Sequence, residues 1–389
     1  MNSIAIIGGG PAGAMAAESL RRRAPKAFDV TIFEERKSWE KPCGGGLPAK
    51  ALRRYPFLAD ASETFATVKE AELVAPNGEV VRFMLRAPIA VYSRAVLNRF
   101  LLGRAECAGA RVVADHIREF CRNGAGWAIK GSREVYRADF IILAAGARTP
   151  LRLPLTSRFR PQDLMLTYGY YTPGSDSLLR VQFFEDFEGY AWAFPRTDHL
   201  SVGICGKADE IRMVDLRLHL HAFMQAFGYV AEHAPVFSHL LPALNASSWE
   251  HIELAGNGWA VAGDAGGLVD PLTGEGIYFA MRSGELLAET LVEGEPQAYA
   301  QKVRREFGRR LAVGARLAPR FYRGKFLGQP STTRLVQFCR RSPAFMSILQ
   351  DLFEGSQSYA SLPGRLYRTL AKGVFQMAAT KCRIKDSKM

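Results

Sequence analysis

Three glycines near the amino terminus have the spacing needed to hold a phosphate group. Gly8, Gly10 and Gly13 form the pattern G-x-G-x-x-G, in which the first glycine permits a tight turn, the second admits a pyrophosphate to the backbone and the third lets a helix pack closely on a strand. Free N–H groups and the helix dipole favour an anion there. Glu34, 21 residues beyond Gly13, can accept hydrogen bonds from a ribose diol. These residues predict a dinucleotide-binding site.

A second chemical motif lies far along the chain. Residues 263–277 read G-D-A-G-G-L-V-D-P-L-T-G-E-G-I after a short apolar run. Asp264 can accept a hydrogen bond from a ribityl hydroxyl, and a helix that opens at Gly276 and Ile277 can face the pyrimidine carbonyl of a flavin. The two motifs indicate the two ends of one long cofactor, and the second motif favours FAD over NAD.

Two shorter motifs have the composition of a substrate pocket. In the sequence Y-A-W-A-F-P, strand alternation puts Tyr190, Trp192 and Phe194 on one face. That face is either an ordinary aromatic core or the wall of a tunnel for a long apolar chain. Cys43 precedes three glycines in K-P-C-G-G-G-L-P, and glycines let the backbone approach a ligand closely.

The segments around these motifs predict the elements that position them. Residues 4–34 read as a strand, glycine turn, helix and second strand, which is a βαβ unit. Further strands are predicted within 67–92 and 111–145, and helices over 94–107 and 274–293. Residues 156–250 alternate like a β-sheet with a helix near 211–228, and residues 297–389 look helical.

Composition excludes several classes of protein. The chain has 389 residues, of which 48% are apolar, so it is long enough for several folded domains. Since no apolar run reaches the length of a membrane-spanning helix and the first residues lack a basic segment, we predict neither a membrane span nor a signal peptide. Six widely spaced cysteines argue against a zinc ribbon, an iron–sulfur cluster or a disulfide scaffold, and favour a reducing cytoplasm. No metal site is expected.

The positive charge is concentrated at the carboxyl end. Residues 300–389 hold 19 Lys or Arg and four acids, a balance of +15, which leaves −2 for the first 299 residues. One apolar stripe is formed by Phe345, Ile348 and Leu352, and another by Leu366, Leu370, Val374 and Met377. We predict that this region docks on an anionic membrane surface and does not bind nucleic acid. The alternative is that the stripes pack on the body of the protein.

The four motifs, in this order, resemble those of the FAD enzymes related to para-hydroxybenzoate hydroxylase. The K-P-C-G-G-G-L-P and Y-A-W-A-F-P motifs resemble those of the geranylgeranyl reductase branch of these enzymes, and the resemblance spans residues 1 to about 300. The resemblance implies an α/β fold with a Rossmann-like FAD-binding domain, an inserted mixed or antiparallel β-sheet substrate domain and a C-terminal helical segment. The implied boundaries are 1–60, 93–155 and 251–299 for FAD binding, 61–92 and 156–250 for substrate, and 300–389 for the basic helical region.

The resemblance also implies an activity and a set of site residues. The activity is saturation of C=C bonds in a polyprenyl chain by hydride transfer from reduced FAD. Substrate would contact Tyr190, Trp192 and Phe194, and Cys43 would lie beside the flavin as the catalytic residue, with an ordered water as the alternative proton donor. The residues implied in FAD binding are Gly8, Gly10, Ala12, Gly13, Glu34, Cys43, Gly44, Gly46, Arg94, Ile117, Asp264, Gly276 and Ile277.

Several alternatives stay open at this point. The hydroxylases carry Asp-Gly where this chain has Ala145-Gly146, and the halogenases carry Ile-Pro where it has Phe194-Pro195. A monooxygenase or halogenase on the same fold and a non-catalytic, membrane-associated FAD-binding protein are the rival hypotheses. The electron donor could be NADPH or a ferredoxin-like protein, and the prenyl group could belong to a chlorophyll-type ring, a diphosphate, a quinone or a lipid. We expect a cytoplasmic protein on the inner face of the membrane.

Overall fold

The computed structural model describes residues 2–59, 64–369 and 371. Within these residues the chain forms two large β-sheets, a three-stranded sheet, a two-stranded hairpin and ten α-helices. The helices are α1 (Pro11–Arg23), α2 (Ala49–Arg54), α3 (Arg94–Cys107), α4 (Met213–Phe227), α5 (Ala246–His251), α6 (Ile277–Val292), α7 (Ala298–Val303), α8 (Arg309–Tyr322), α9 (Ser331–Arg341) and α10 (Pro343–Glu354). A π-helical turn, Arg304–Gly308, joins α7 to α8, and residues 362–369 are again helical.

The first sheet has Rossmann-like character. Its strands are β1 (Asn2–Ile7), β2 (Phe28–Phe33), β6 (Arg111–Val113), β10 (Phe140–Leu143), β16 (Ala255–Gly256) and β17 (Trp259–Val261). They lie in the order β16-β17-β10-β1-β2-β6, and all neighbouring pairs are parallel except β16 with β17. Continuous apolar sequences such as Ile4–Ile7 and Phe140–Leu143 are fully buried, as expected for a parallel sheet covered on both faces.

The parallel strands bring the chemical motifs to one edge of this sheet. Strand β1 ends before Gly8, β2 before Glu34, β10 before Ala144 and β17 three residues before Asp264. Since ligands of open α/β sheets bind outside the carboxyl ends of the strands, this edge is the place for a cofactor. A smaller antiparallel sheet, β7 (Ile117–Asn123), β8 (Gly126–Gly131) and β9 (Val135–Ala138), is inserted between β6 and β10.

The second large sheet carries the aromatic motif. Its strands are β3 (Gly46–Leu47), β4 (Ala66–Val74), β5 (Val80–Val91), β11 (Leu164–Thr172), β12 (Leu178–Phe183), β13 (Gly189–Pro195), β14 (Leu200–Lys207) and β15 (Val236–Pro242). The order is β15-β11-β14-β13-β12-β4-β5-β3, and only β12 with β4 is a parallel pair. The mixed sheet confirms the predicted fold class, because strands from two separate stretches of the chain form one sheet beside the Rossmann-like one.

The carboxyl-terminal helices pack on the second sheet. Phe345 and Leu349 of α10 are buried in the same apolar cluster as Val81 and Phe83 of β5 and Leu179 of β12. The expectation that the stripe of Phe345, Ile348 and Leu352 contacts a membrane is therefore wrong, because this stripe faces the body of the protein. Of the second stripe, Leu366 packs against the same cluster, whereas Leu370, Val374 and Met377 lie outside the described residues.

Two further predictions need correction. Helix α6 begins at Ile277 and not at Gly274, because the Asp270 carboxylate accepts hydrogen bonds from the N–H groups of Leu272 and Thr273 and holds the preceding residues in a turn. The helical stretch predicted from residue 297 onward is interrupted by a hairpin, β18 (Lys325–Phe326) and β19 (Gln329–Pro330). No helix in the described ranges has the length and apolar character that crossing a membrane requires.

A buried ion pair fastens the carboxyl-terminal helices to the turn before α6. Asp270 is fully buried, and its carboxylate accepts a hydrogen bond from Nε of Arg310 at 2.8 Å and from the Tyr359 hydroxyl at 2.9 Å. Asp270 belongs to the turn before α6, Arg310 to α8 and Tyr359 to the segment after α10. The pair therefore joins three separate segments at one point.

Arg310→Met should lower the free energy of unfolding by about 3–5 kcal/mol, since it leaves a buried carboxylate without its counter-charge. The matched control is Arg316→Met on the same helix, where the arginine and its partner Glu250 are both largely exposed and a loss of about 0–1 kcal/mol is expected. Urea unfolding followed by circular dichroism measures both. Equal midpoints for the two variants would show that the buried pair contributes nothing.

Candidate functional site

A single large cavity connects the edge of the first sheet to the second sheet and the carboxyl-terminal helices. Its volume is about 1080 Å³, slightly above the ~300–1,000 Å³ that small-molecule pockets occupy. One part is lined by the glycine motif and the end of β2, and the other by apolar side chains of β4, β12, β13 and α8 to α10. The cavity therefore has room for a cofactor and for part of a second molecule.

The glycine motif forms a tight turn that leaves backbone open to the cavity. Gly8 has a φ of +106°, and a Cβ atom there would lie 2.5 Å from the carbonyl oxygen of Ala144. A Cβ atom on Gly13 would lie 2.0 Å from the carbonyl oxygen of Gly8, so α1 could not approach β1 with any other residue. A Cβ atom on Gly10 would meet nothing within 4 Å. Gly10 thus presents bare backbone at the start of α1, where an anion is favoured.

Glu34 lies beside this turn at the end of β2. Its Oε2 accepts a hydrogen bond from the N–H of Gly9 at 2.8 Å, and its Oε1 accepts one from the N–H of Arg36 at 3.1 Å. Two backbone donors thus fix the carboxylate at the cavity wall, which Ile117 at the start of β7 also lines. This is the geometry that acceptance of hydrogen bonds from a ribose diol requires.

A charged pair lies at the cavity wall beside the Asp264 motif. Nζ of Lys41 lies 2.9 Å from Oδ2 of Asp264. Burial raises the pKa of Asp264, but the charge and hydrogen bond of Lys41 outweigh it and the pKa is lowered. Burial, followed by the charge of Lys41, lowers the pKa of neighbouring His239 to about 3. His239 is therefore a neutral imidazole whose Nε2 has no partner among the described residues.

Two more groups at the cleft could each take a hydrogen-bond acceptor from a cofactor. The Arg94 side chain lines the cavity and is almost fully buried, yet its Nε makes no hydrogen bond within the described residues. The start of α6, at Gly276 and Ile277, also faces the cavity. A buried guanidinium N–H and a helix amino terminus both favour an acceptor atom from a ligand.

The Cys43 loop is pressed against the aromatic motif by its glycines. Cβ atoms on Gly44 and Gly46 would lie 2.7 and 3.0 Å from the ring of Phe194, and one on Gly45 would lie 2.1 Å from the Tyr92 carbonyl oxygen. The absence of side chains is therefore what brings Cys43 next to Phe194. Cys43 lines the cavity, and its thiol sulfur accepts a hydrogen bond from the N–H of Gly45 at 3.3 Å.

A buried arginine holds this loop in place. Nη2 of Arg196 and the hydroxyl of Ser201 donate to the Cys43 carbonyl oxygen at 2.6 and 3.0 Å. Arg196 also pairs with Glu40, whose carboxylate accepts from the backbone N–H of Arg94 at 2.8 Å. Although burial raises the pKa of Glu40, Arg196 and the hydrogen bonds lower it overall. This cluster ties the Cys43 loop to the start of α3.

The aromatic motif forms one wall of the distal part of the cavity. Tyr190, Trp192 and Phe194 all line it, while Ala191 and Ala193 pack into a separate core on the other face of β13. The Tyr190 hydroxyl donates to the carbonyl oxygen of Thr273 at 2.8 Å, which links the wall to the turn before α6. The predicted tunnel wall thus borders both the Cys43 loop and the flavin-type motif.

The structure brings nearly all the predicted site residues together. The residues that line the cavity are Gly8, Gly10, Ala12, Glu34, Cys43, Gly44, Gly46, Arg94, Ile117, Tyr190, Trp192, Phe194, Asp264, Gly276 and Ile277. Gly13 does not line it, because it lies behind the turn, on the side of α1 that packs against β1. The individual roles of these residues stay predictions. No group of three or more His, Cys, Asp or Glu in the described segments could hold a metal ion.

Sequence reasoning missed four residues of the site: Glu40, Lys41, Arg196 and His239. Glu40 and Lys41 directly precede the Pro42-Cys43 pair, and Arg196 directly follows the aromatic motif. For these three residues, the available signal was a charge directly beside a glycine-rich or aromatic motif. His239 has no such signal, because β15 lies far from any motif and reaches the cleft only through the order of strands in the second sheet.

Comparison with known proteins finds reductases of isoprenoid compounds. A family described as FAD-NAD(P)-binding matches residues 5–148. Geranylgeranyl diphosphate reductase of Synechocystis sp. is 27% identical over 323 residues, which cover 74% of this chain and 75% of that protein. Menaquinone reductase of Mycobacterium tuberculosis is 27% identical over 383 residues, 89% of each chain. Digeranylgeranylglycerophospholipid reductase 2 of Methanopyrus kandleri is 28% identical over 340 residues, 79% of this chain and 83% of that protein.

Solved structures show the same fold. A geranylgeranyl bacteriochlorophyll reductase-like protein from Thermoplasma acidophilum superimposes with a TM-score of 0.73 at 21% identity, over 90% of this chain and 99% of that one. A flavin-dependent brominase superimposes with a TM-score of 0.70 at 16% identity, over 95% of this chain and 99% of that one. The fold is thus shared by reductases and halogenases, and the fold alone does not choose between them.

The described residues fit an FAD molecule lying along the cleft. Bare backbone at Gly10, the fixed carboxylate of Glu34 and the unpartnered Nε of Arg94 match the polar atoms of an adenosine diphosphate group. Asp264 and the start of α6 match the ribityl chain and the flavin ring. FAD is accordingly the cofactor of this site.

Gly13→Val should weaken FAD binding, because a side chain 2.0 Å from the Gly8 carbonyl oxygen forces α1 away from β1. We expect affinity for FAD to fall at least ~10-fold, which corresponds to ~1.4 kcal/mol. The control is Gly103→Val in α3, where a Cβ atom would meet nothing within 4 Å. The ratio of flavin absorbance to protein in the purified variants measures the effect, and full occupancy in Gly13→Val would contradict the assigned role of this turn.

Proposed function

We propose that this chain, a member of the geranylgeranyl reductase family of FAD-dependent oxidoreductases, saturates C=C bonds in a polyprenyl chain. The observation that carries the proposal is the continuity of the cavity. Its cofactor end and its apolar end meet where Gly44 and Gly46 pack on the ring of Phe194. A molecule against the aromatic wall would therefore lie next to the flavin end of the cleft.

The apolar end has the chemistry of a binding site for an isoprenoid chain. It is lined by Leu73 and Ile89, by Leu179, Val181 and Phe183 of β12, and by apolar residues of α8 to α10. A prenyl chain has no polar group that could orient it, so its position depends on shape and on apolar area removed from water, at roughly 25 cal/mol per Å². Enclosure by the carboxyl-terminal helices also keeps water away from the reacting carbons.

The reaction adds a hydride to one alkene carbon and a proton to the other. Reduced FAD, when bound, supplies the hydride. The protein must then position the alkene and supply the proton, because an isolated alkene has no carbonyl group over which charge can spread. Cys43 lines the cavity on a loop that Arg196 and Ser201 hold through the Cys43 carbonyl. We therefore assign the proton to Cys43, with an ordered water as the alternative donor.

The relatives support this substrate class without selecting one member of it. Their names refer to geranylgeranyl diphosphate, menaquinone and digeranylgeranylglycerophospholipid. These compounds share an isoprenoid chain and differ in the group attached to it. The proposal accordingly concerns the chain, which fits the apolar end of the cavity, and leaves the head group to experiment.

We also propose that the protein associates peripherally with an anionic membrane surface. The supporting observation is the balance of +15 over residues 300–389 beside −2 over the rest. Each Lys or Arg near an anionic leaflet adds about 1 kcal/mol of binding free energy. A polyprenyl substrate resides in lipid, so the distal end of the cavity and the source of the substrate would lie close together.

Mass spectrometry of geranylgeranyl compounds incubated with dithionite-reduced protein tests the proposed reaction. We expect products heavier by about two mass units for each bond saturated, because each reduction adds one hydride and one proton. Dithionite replaces the natural electron donor, so the result is independent of whether that donor is NADPH or a ferredoxin-like protein. Oxygenated or halogenated products in air, with no saturated product without oxygen, would support the rival monooxygenase or halogenase instead.

Cys43→Ser and Cys43→Ala test the proton donor. Both variants should retain FAD, and we expect the saturation rate to fall about 100-fold or more, the scale on which a general acid contributes. Cys107→Ser is the control, since Cys107 is exposed at the end of α3. Single-turnover oxidation of the reduced flavin by substrate measures the rate. An unchanged rate in Cys43→Ala would show that a water molecule provides the proton.

A further inference from the structure

A short hairpin between α8 and α9 exposes apolar side chains at the distal end of the cavity. Strands β18 and β19 are joined by Leu327 and Gly328. The Leu327 side chain is 70% exposed and that of Phe326 is 42% exposed. Phe326 also lines the cavity, so the cavity reaches the protein surface beside this hairpin.

The backbone at the tip is unusual for the residue that occupies it. Leu327 has a φ of +51°, a left-handed conformation that bulky side chains disfavour and that glycine and asparagine adopt readily. Neither burial nor backbone preference therefore explains a leucine here. A strained residue at such a position points to a role outside the folded core.

The tip is also held firmly in its conformation. The Arg334 side chain donates from Nε to the Phe326 carbonyl oxygen at 3.1 Å and from Nη2 to the Leu327 carbonyl oxygen at 2.5 Å. Its Nη1 donates to Oε1 of Gln337 at 2.8 Å, which fixes the guanidinium in turn. Arg334 thus satisfies the carbonyl groups of the tip while the apolar side chains remain exposed.

The hairpin lies in a stretch of sequence whose charged residues are all basic. Between Glu306 and Asp351 the chain has nine Lys or Arg and no Asp or Glu. Lys325 in the hairpin and Arg320 just before it are exposed and form no ion pair within the described segments. Exposed apolar side chains flanked by unpaired cations are complementary to an anionic lipid surface, where the apolar groups enter the headgroup region and the cations lie at the phosphates.

An aromatic path leads inward from the tip. The ring of Phe326 lies 6.1 Å from that of Phe338, which in turn stacks at 4.9 Å on Phe345. All three line the cavity whose other side contains Tyr190, which stacks on Tyr322 at the end of α8. An apolar chain entering beside Phe326 would remain in contact with apolar surface from the hairpin to the aromatic wall.

We propose that hairpin 325–330 inserts its tip into the headgroup region of an anionic lipid bilayer and that the opening beside Phe326 admits the prenyl chain from the membrane. This inference rests on the proposed function, because it concerns how the substrate of that site arrives. It adds a specific docking segment and a direction of substrate movement.

Co-sedimentation with phosphatidylglycerol vesicles tests the docking segment. Leu327→Asn replaces the apolar side chain at the tip with a polar one that suits the left-handed backbone, and Lys325→Glu reverses the adjacent charge. We expect each change to weaken vesicle binding about fivefold or more, and added salt to weaken binding of the unaltered protein. The control is Leu218→Asn on α4, a leucine of similar exposure at 64%, which should leave binding unchanged. Unaltered binding in Leu327→Asn, or no binding by the original chain at low salt, would overturn the proposal.

Two assays of the same variants separate the docking segment from the reaction. With a detergent-dispersed prenyl substrate, Leu327→Asn should saturate bonds at the original rate, and with a vesicle-embedded substrate it should be slower in proportion to its lost binding. Hairpin-dependent vesicle binding without saturation in either assay would reject the proposed reaction and support the docking segment. Loss of self-association in Leu327→Asn, without loss of vesicle binding, would identify a second copy of the chain as the occupant and reject the lipid surface.

Discussion

The site depends on how closely helix α1 approaches its neighbours. Gly13 leaves no room for a side chain between α1 and the Gly8 carbonyl oxygen, and a Cβ atom on Gly284 of α6 would lie 2.2 Å from the carbonyl oxygen of Ala12. These two contacts bring α1 against β1 on one side and against α6 on the other. Helix α6 follows the Asp264 motif. Motifs 250 residues apart in sequence therefore meet at one cleft, because each of three segments has a glycine where it crosses its neighbour.

A second set of polar contacts positions the Cys43 loop and the carboxyl-terminal helices beside the cofactor cleft. Arg196 is buried with Glu40 and donates to the Cys43 carbonyl, while Glu40 accepts from the start of α3, where Arg94 lies. The cofactor end and the Cys43 loop are therefore positioned by the same ion pair. On the other side, Arg310, Asp270 and Tyr359 join the turn before α6 to the helices that enclose the apolar end. Removing one partner of either pair would leave a buried charge without its counter-charge, so both pairs hold these segments in position.

The sequence predicted the parts of the site that depend on local backbone rules. Gly8, Gly13 and Glu34 were identifiable because a βαβ unit fixes their spacing, and Tyr190, Trp192 and Phe194 because a strand alternates. Arg196 and His239 were not, since their positions depend on strand pairing in the second sheet. The stripe of Phe345, Ile348 and Leu352 was misinterpreted, because an amphipathic helix shows that one face is apolar and does not show what covers it.

We propose that an alkene against the aromatic wall lies within reach of a reduced flavin in the same cavity. Anaerobic stopped-flow measurement of flavin absorbance tests it most directly, with dithionite-reduced protein freed of excess reductant and mixed with a geranylgeranyl compound or its fully saturated counterpart. The unsaturated compound should oxidise the flavin without oxygen, and the saturated one should not. Flavin that stays reduced with both compounds, yet is oxidised rapidly by air, would contradict it.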